Sequence, residues 1–285
     1  MSIILETPLV SGFYVVSVPI GNLQDITLRA LAVLKKLNKI YCEDTRVTRK
    51  LLSLYQITPP LLVRCDDAVQ ESLIDAIKDD IKNGLAVGLV SDAGTPLISD
   101  PGYVIVTALR KENVPIYPIA GVCAAIAAVS ISGLPTFSFQ FMGFVPKKQK
   151  QRQEIIEILY KNPNTYIFYE RPERIIDFLN EFPENLRQAQ CFIAREMTKI
   201  HEEYVFGNIS QILKNLETMT LKGEAVLIIA THNVTIDNQI DISAEILQYL
   251  KQGKSIKDIS RDNRLLKYMS RNALYDMAQN LKNYD

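Results

Sequence analysis

Short apolar runs alternate along this chain with stretches whose apolar residues recur at helical spacing. The run FYVVSV at 13–18 predicts a buried strand, and Leu28, Leu31, Leu34 and Leu37 predict a helix over 26–37. Asp25 or Thr27 would serve as its N-cap. A strand at 39–42 and a helix from about Val47 to Tyr55 follow, and Pro59-Pro60 ends that unit. A helix at 70–82, a strand at 85–90, a helix at 103–111 and a strand at 114–119 continue the alternation. Such a pattern implies βαβ units and a mostly parallel sheet, and ligands of such sheets bind beyond the carboxyl ends of the strands. The loops to inspect are therefore 19–25, 43–46, 91–102 and 120–123.

A second unit begins near Ala124. It reads as a small-residue helix (123–131), a strand (137–142), a helix (148–160), a strand (165–169), a helix (174–182) and a strand (190–194). Further strands fall at 202–206 and 224–230, with hairpin-like connections that predict a mixed sheet. After His232 the segment THNVTIDNQID is a polar linker. Helices at 243–252, from Ser255 to Asn263 and from Ser270 to Leu281 then form a small appendix, either of helix-turn-helix type or a packing or dimerisation tail. The expected domains are 1–122, 123–235 and a helical extension at 236–285.

Composition narrows the function. The 285 residues are 47% hydrophobic and 22% charged, as in an ordinary folded protein of one large or two ordinary domains. No apolar run is long enough for a membrane span, and the N-terminus lacks the basic start and cleavage site of a secretory signal. Cys42, Cys65, Cys123 and Cys191 are scattered, and His201 and His232 are the only histidines, so neither a disulfide framework nor a metal site is expected. Lys+Arg and Asp+Glu both number 32, which argues against nonspecific coating of nucleic acid and leaves room for a local basic patch.

Four regions after strands carry candidate chemistry. In Pro19-Ile20-Gly21-Asn22-Leu23, Gly21 permits a close backbone approach to a ligand. The segment Ser91-Asp92-Ala93-Gly94-Thr95-Pro96-Leu97-Ile98-Ser99-Asp100-Pro101-Gly102 holds more special residues than a turn needs. Asp92 sits where a strand ends, placed to accept hydrogen bonds from a ligand, and Asp100 before Pro101 reads as a helix N-cap. In Ile119-Ala120-Gly121-Val122-Cys123-Ala124 a glycine turn meets a helix start, where backbone amides receive anions or where helix and sheet simply pack closely. Tyr169-Glu170-Arg171-Pro172 and Ala194-Arg195-Glu196-Met197-Thr198-Lys199 put charges at strand ends, although Arg195 and Glu196 suit an ion pair equally. Basic residues cluster at Arg46, Arg49 and Lys50, and at Lys147, Lys148, Lys150 and Arg152.

Taken in order, VPIGNLQDITLRAL, EDTRVTRKLL, LVSDAGTPLISDPGY, SGLPT, GFVPKK, FYERPERI, AREMTKIHEE and KGEAVLII form one series. This series resembles the ribosomal RNA small-subunit methyltransferase I family, in the tetrapyrrole-methylase superfamily, over about residues 12–230. The resemblance implies two α/β domains of the class III, tetrapyrrole-methylase-like kind, with S-adenosylmethionine held in the cleft between them. It also implies a homodimer, and 2′-O-methylation of a cytidine ribose in the decoding region of small-subunit (16S) ribosomal RNA in the cytoplasm. Cofactor contacts would fall on Ile20, on Asp92, Gly94 and Thr95, on Gly121, Cys123 and Ala124, and on Tyr169, Gly223, Glu224 and Ala225. Cys123 stands where the family usually has serine, a thiol being the weaker donor. Val47 stands where histidine is common, and Arg171 and Glu173 replace the family's small residue and histidine.

The expected chemistry is in-line attack of a ribose 2′-oxygen on a sulfonium methyl group, in which positioning supplies much of the acceleration and a base assists. Glu43, Asp44, Glu170 and Glu196 are the candidate bases, and Arg46, Arg49, Lys147, Lys148 and Arg195 the candidate RNA contacts. Two alternatives are a tetrapyrrole C-methyltransferase and a non-catalytic ribosome-assembly factor. VPIGNL departs from the glycine-rich first loop of the former, and the intact DAGTP segment disfavours the latter.

Overall fold

A computed structural model describes residues 9–214, 220, 222–232, 242–267 and 269–282. The chain divides into two compact units, Met1–Ala127 with Met197–His201, and Ala128–Glu196 with Glu202–Asp285. The sequence reading put this division between 122 and 123. Its second boundary, between 235 and 236, lies outside the described residues, as does its polar linker apart from Thr231 and His232.

The first unit is a five-stranded sheet of β1 (Gly12–Val16), β2 (Lys39–Cys42), β3 (Leu61–Arg64), β4 (Ala86–Val90) and β5 (Ile116–Ile119). The strand order is β3-β2-β4-β1-β5 and every pairing is parallel. Helices α1 (Leu28–Leu34) and α2 (Thr45–Leu54) cover one face, packing Ala30, Leu34 and Leu52 on Tyr14, Val16 and Ile40. Helices α3 (Ile74–Lys82) and α4 (Tyr103–Lys111) cover the other, packing Ile77, Ile105 and Leu109 on Phe13, Tyr41, Val87 and Leu89. Adjacent residues such as Phe13 and Tyr14 thus serve opposite cores, so the strands read as continuous apolar runs. The chain leaves β1 and β2 toward one face and β4, which lies between them, toward the other. That is a topological switch, and it opens a crevice at the carboxyl edge.

Strand β3 went unread in the sequence. It follows Pro59-Pro60, sits at the sheet edge and buries none of its four residues fully, so its apolar signal is weak. The caps of α1 and α2 are Thr27, which accepts from the Ala30 amide at 3.0 Å, and Asp44, which accepts from the Arg46 amide at 2.8 Å.

The second unit contains the latter half of α5 (Ala124–Ile131) and then β6 (Phe139–Phe144), α6 (Gln149–Lys161), β7 (Thr165–Glu170), α7 (Pro172–Asn180) and β8 (Gln190–Arg195). After them come β9 (Glu203–Asn208), α8 (Ile209–Lys214) and β10 (Ala225–Ala230). The strand order is β6-β7-β10-β8-β9, with β6 and β7 parallel and the other pairs antiparallel, the mixed sheet that the hairpin-like connections predict. One face carries a core of Tyr166, Phe168, Phe178, Phe182, Ile193 and Leu227. Helices α9 (Ile242–Lys251), α10 (Ile256–Ile259) and α11 (Arg271–Lys282) pack around Ile246, Ile259, Leu265 and Leu274 as a helical extension. The helix expected from Ser255 to Asn263 is only a single turn, followed by tighter turns in which the Arg261 and Asp262 amides donate to the Asp258 and Ile259 carbonyls. Among the described residues no helix is long and apolar enough to cross a membrane.

Candidate functional site

Four loops converge on the carboxyl edge of the first sheet, and specific hydrogen bonds lock them together. Beyond β1, Val18 pairs with Gly94 beyond β4 through two backbone hydrogen bonds of 2.8 and 3.0 Å. The Thr95 hydroxyl donates its one proton to the Val122 carbonyl beyond β5 at 2.8 Å. Ser17 is therefore the donor in its 2.9 Å contact with Thr95. Asp92 accepts from the Asp44 amide at 3.2 Å, which ties the loop after β4 to the loop after β2.

Close approach is built into these loops. A Cβ on Gly121 would lie 2.7 Å from the Ser17 Cβ, so only glycine lets the third loop sit against the first. Gly94 has φ +73°, and a side chain there would fill the space beside Ile20 Cγ2 at 3.3 Å and the Val122 carbonyl at 3.7 Å. Leu97 and Ser99 hold φ of +72° and +67°, a left-handed conformation that costs a leucine energy and clusters at functional loops. The segment Met197–His201 completes the rim, with the Thr198 hydroxyl accepting from the Asn22 amide at 3.0 Å and Lys199 against Gly21.

The structure thus brings Ile20, Asp92, Gly94, Thr95, Gly121, Cys123 and Ala124 to one edge, with Glu43, Asp44, Arg46 and Arg49 beside them. Burial, followed by the charge of Asp92, raises the Glu43 carboxyl above its ordinary range. Asp92 is also raised, first by partial burial and then by Asp44. Asp44 is held low because the Arg46 guanidinium grips it, with Nε at 3.0 Å from Oδ1 and Nη2 at 2.6 Å from Oδ2. Arg46 and Arg49 are exposed, at the start of α2.

Asp100 departs from the role read for it. The cap of α4 is Gly102, with φ +125° and no side-chain bond, and its amide donates to buried Gln70 at 2.9 Å. Asp100 instead folds toward Ser91, and burial, followed by the charges of Asp92 and Asp67, pushes its carboxyl up to about 6. The sequence reading missed Gln70 and Ser17 as supports of this edge, since neither lies in a glycine-rich loop.

In the second unit the register aligns Glu170, Ala225, Arg195 and Glu203 in one row across four strands. Glu170 is 5% exposed, lies 3.0 Å from Arg174 Nη1, and accepts from the Arg171 amide. Arg195 is 7% exposed, with its Nε 2.9 Å from Glu203 and its Nη1 donating to the Lys222 carbonyl. Glu196 accepts from the Glu224 amide at 2.9 Å, and Gly223, with φ +99°, lets its carboxylate lie close by. Arg195 ties β8 to β9 through Glu203, Glu196 ties the end of β8 to the start of β10, and Glu170 ties β7 to α7. Tyr169 contacts the rings of Phe141 and Phe144 edge-on, and Lys147 and Lys148 are exposed beyond β6.

Residues 12–213 match the tetrapyrrole (corrin/porphyrin) methylases. A protein of Rickettsia prowazekii named ribosomal RNA small subunit methyltransferase I is 41% identical over 250 residues, 87% of this chain and 89% of its own. One of the same name from Vibrio cholerae is 38% identical over 266 residues, 92% of each chain. The chain belongs to this methyltransferase family. A solved uroporphyrin-III C-methyltransferase from Thermus thermophilus, complexed with S-adenyl homocysteine, is 17% identical with a TM-score of 0.52 over 76% of this chain and 96% of its own. At that identity the likeness is one of fold, and it places this member's two sheets within the methylase architecture. Among the described residues of this family member, no group of three or more His, Cys, Asp or Glu side chains is arranged to hold a metal ion.

Proposed function

We propose that the protein methylates the ribose 2′-oxygen of a cytidine in the decoding region of 16S ribosomal RNA, acting on the small subunit in the cytoplasm as a homodimer. The cofactor is S-adenosylmethionine, which when bound supplies a methyl group on a positively charged sulfur. The observation that carries the reading is the Ser17–Thr95–Val122 junction, which fixes three glycine-containing loops around an edge where Gly94 leaves room that any side chain would fill. Those loops suit a ligand recognised by backbone groups and by one carboxylate acceptor, Asp92. Ile20, Gly94, Thr95, Gly121, Cys123 and Ala124 would hold the cofactor, and Asp92 would accept from its hydroxyl or amino groups. By resemblance, Tyr169 and Gly223 to Ala225 also contact it.

A ribose hydroxyl is a weak acid, so its attack gains from a base of raised pKa. Of Glu43, Asp44, Glu170 and Glu196, Glu43 fits that role. It is half-buried, it has no ion-pair partner among the described residues, and its carboxyl is raised. Asp44 is held by Arg46, Glu170 is buried against Arg174, and Glu196 binds the Glu224 amide. Arg46, Arg49, Lys147 and Lys148 are exposed and suited to phosphates, whereas Arg195 is committed to Glu203.

The test is transfer of labelled methyl to small subunits from a strain lacking this activity, with the modified nucleoside identified by mass spectrometry. A single 2′-O-methylcytidine is expected, and Glu43→Gln should slow its formation while leaving the calorimetric affinity for S-adenosylmethionine intact. Saturable cofactor binding with no incorporation into RNA would reject the acceptor.

A further inference from the structure

Three phenylalanines on or beside β6 point away from the hydrophobic core of their own unit. Phe137 is 83% exposed, Phe139 40% and Phe144 58%. Among the described residues, strand β6 is an edge strand, paired only with β7. Exposed apolar edges invite aggregation and are usually blunted, so a cluster of bare aromatic rings there calls for a purpose. Phe139 and Phe144 face the same side of the sheet. They stand opposite Thr165 and Tyr169, whereas Tyr166 and Phe168 face the core. Met142, which packs on that core, is the extra residue of a bulge between Phe141 and Gly143, and it brings Phe144 back to the outer side. Tyr169 meets both Phe141 at 4.8 Å and Phe144 at 5.9 Å, each edge-on, so the Phe144 ring is braced rather than loose.

Immediately beyond Phe144 the chain runs Val145-Pro146-Lys147-Lys148-Gln149-Lys150. All three lysines are exposed, and none has an ion-pair partner among the described residues. Arg152 belongs to a different system. It pairs with Glu181 and donates to the carbonyls of Pro146 and Lys147, which fixes the path of the lysine-bearing turn. Braced aromatic rings beside unpaired cations are what a protein needs to hold unstacked nucleotides, with rings taking base faces and ammonium groups taking phosphates. The bulge interrupts the backbone ladder, so addition of a peptide strand at this edge is the poorer fit.

We propose that this surface binds an unpaired stretch of the RNA substrate, with Phe139 and Phe144 as stacking platforms and Lys147, Lys148 and Lys150 on the phosphates. The proposal rests on the RNA-methylating reading above and deepens it. Tyr169, which braces the platform, is itself a residue that the resemblance assigns to the cofactor.

The test uses the full chain and a labelled unpaired RNA oligonucleotide of about ten nucleotides, with affinity read by fluorescence anisotropy at several salt concentrations. Phe144→Leu keeps apolar bulk without an aromatic face and should weaken binding roughly 5- to 100-fold, while Phe144→Tyr stays near wild type. Replacing the three lysines with glutamine should reduce the slope of log affinity against log salt by about 2, since each phosphate contact contributes about 0.7 on single strands. Both sets should leave calorimetric binding of S-adenosylmethionine unchanged. Wild-type RNA affinity in Phe144→Leu and in the lysine variant, with methyl transfer to subunits still present in the parent, overturns this surface and leaves the methylation reading standing. Absence of methyl transfer and of RNA binding in the parent rejects that reading itself. If Phe144→Leu instead splits a dimer in sedimentation while RNA affinity per subunit persists, the face joins two copies and the proposal fails.

Discussion

In the first sheet, the polar groups at the strand ends bind loops to one another. Ser17 reaches Thr95, Thr95 reaches Val122, and Asp92 reaches the Asp44 amide. In the second sheet, the charged groups at the corresponding places bind strands to one another or, at Glu170, bind a strand to the helix that follows it. Arg195 pairs with Glu203, Glu196 holds Glu224, and Glu170 pairs with Arg174. Both patterns look alike in sequence, since each puts conspicuous polar residues after an apolar run. The difference lies in satisfaction. A charge that is buried must be paired, and once paired it has little left to offer a ligand. Short hydroxyl and backbone links in the first sheet instead shape a site while leaving Asp92 exposed and Glu43 half-buried with no ion-pair partner among the described residues.

The sharpest way to break this comparison is Arg195→Ala. It leaves Glu203 without its buried partner and should cost about 3 kcal/mol in denaturant unfolding, with methyl transfer per folded molecule little changed. A stable variant with poor RNA affinity would instead return Arg195 to the RNA contacts. Next in size is Thr95→Val, which cuts two loop links and should weaken S-adenosylmethionine binding about tenfold, roughly 1.4 kcal/mol by calorimetry. Unaltered affinity would mean the junction does not shape the cofactor site.

Asp100→Asn tests the electrostatics of the same edge. With its folded carboxyl pushed up to about 6, Asp100 holds a proton in the folded state that the unfolded chain has already released between about pH 4 and 6. Stability from this group is therefore fully present below about pH 4 and is lost as pH rises through 6. The asparagine variant should lose that slope and gain about 1 kcal/mol at pH 7, the full shift being reduced by solvent screening. A melting temperature with the parent's pH dependence would show that Asp100 titrates normally. The smallest effect belongs to Arg46→Gln. Its exposed ion pair with Asp44 should leave unfolding unchanged, while the salt slope of RNA binding falls by a little under one unit.

Periodicity made most of the architecture legible. The run LAVGLV is β4 because a strand covered on both faces needs apolar residues at every position, and all five of its residues are buried. The glycine-rich loops were legible for a similar local reason, since turns that approach a ligand closely need glycine. Strand β3 was not, because an edge strand with half-exposed residues carries no such pattern. The cap of α4 was misread because Asp100-Pro101 has the local chemistry of an N-cap, yet Ser91 and the buried edge draw the aspartate inward.

By itself, then, the sequence determined the two α/β units, the mixed character of the second sheet, and which loops end at the carboxyl edge of the first. These follow from short-range spacing, which each segment carries alone. Only the tertiary structure decided which polar residues are spoken for. Ser17 and Thr95 stand 78 positions apart, and Gly102 finds Gln70 across 32. Such pairings are set by the order in which strands cross the sheet, and no local pattern records that order.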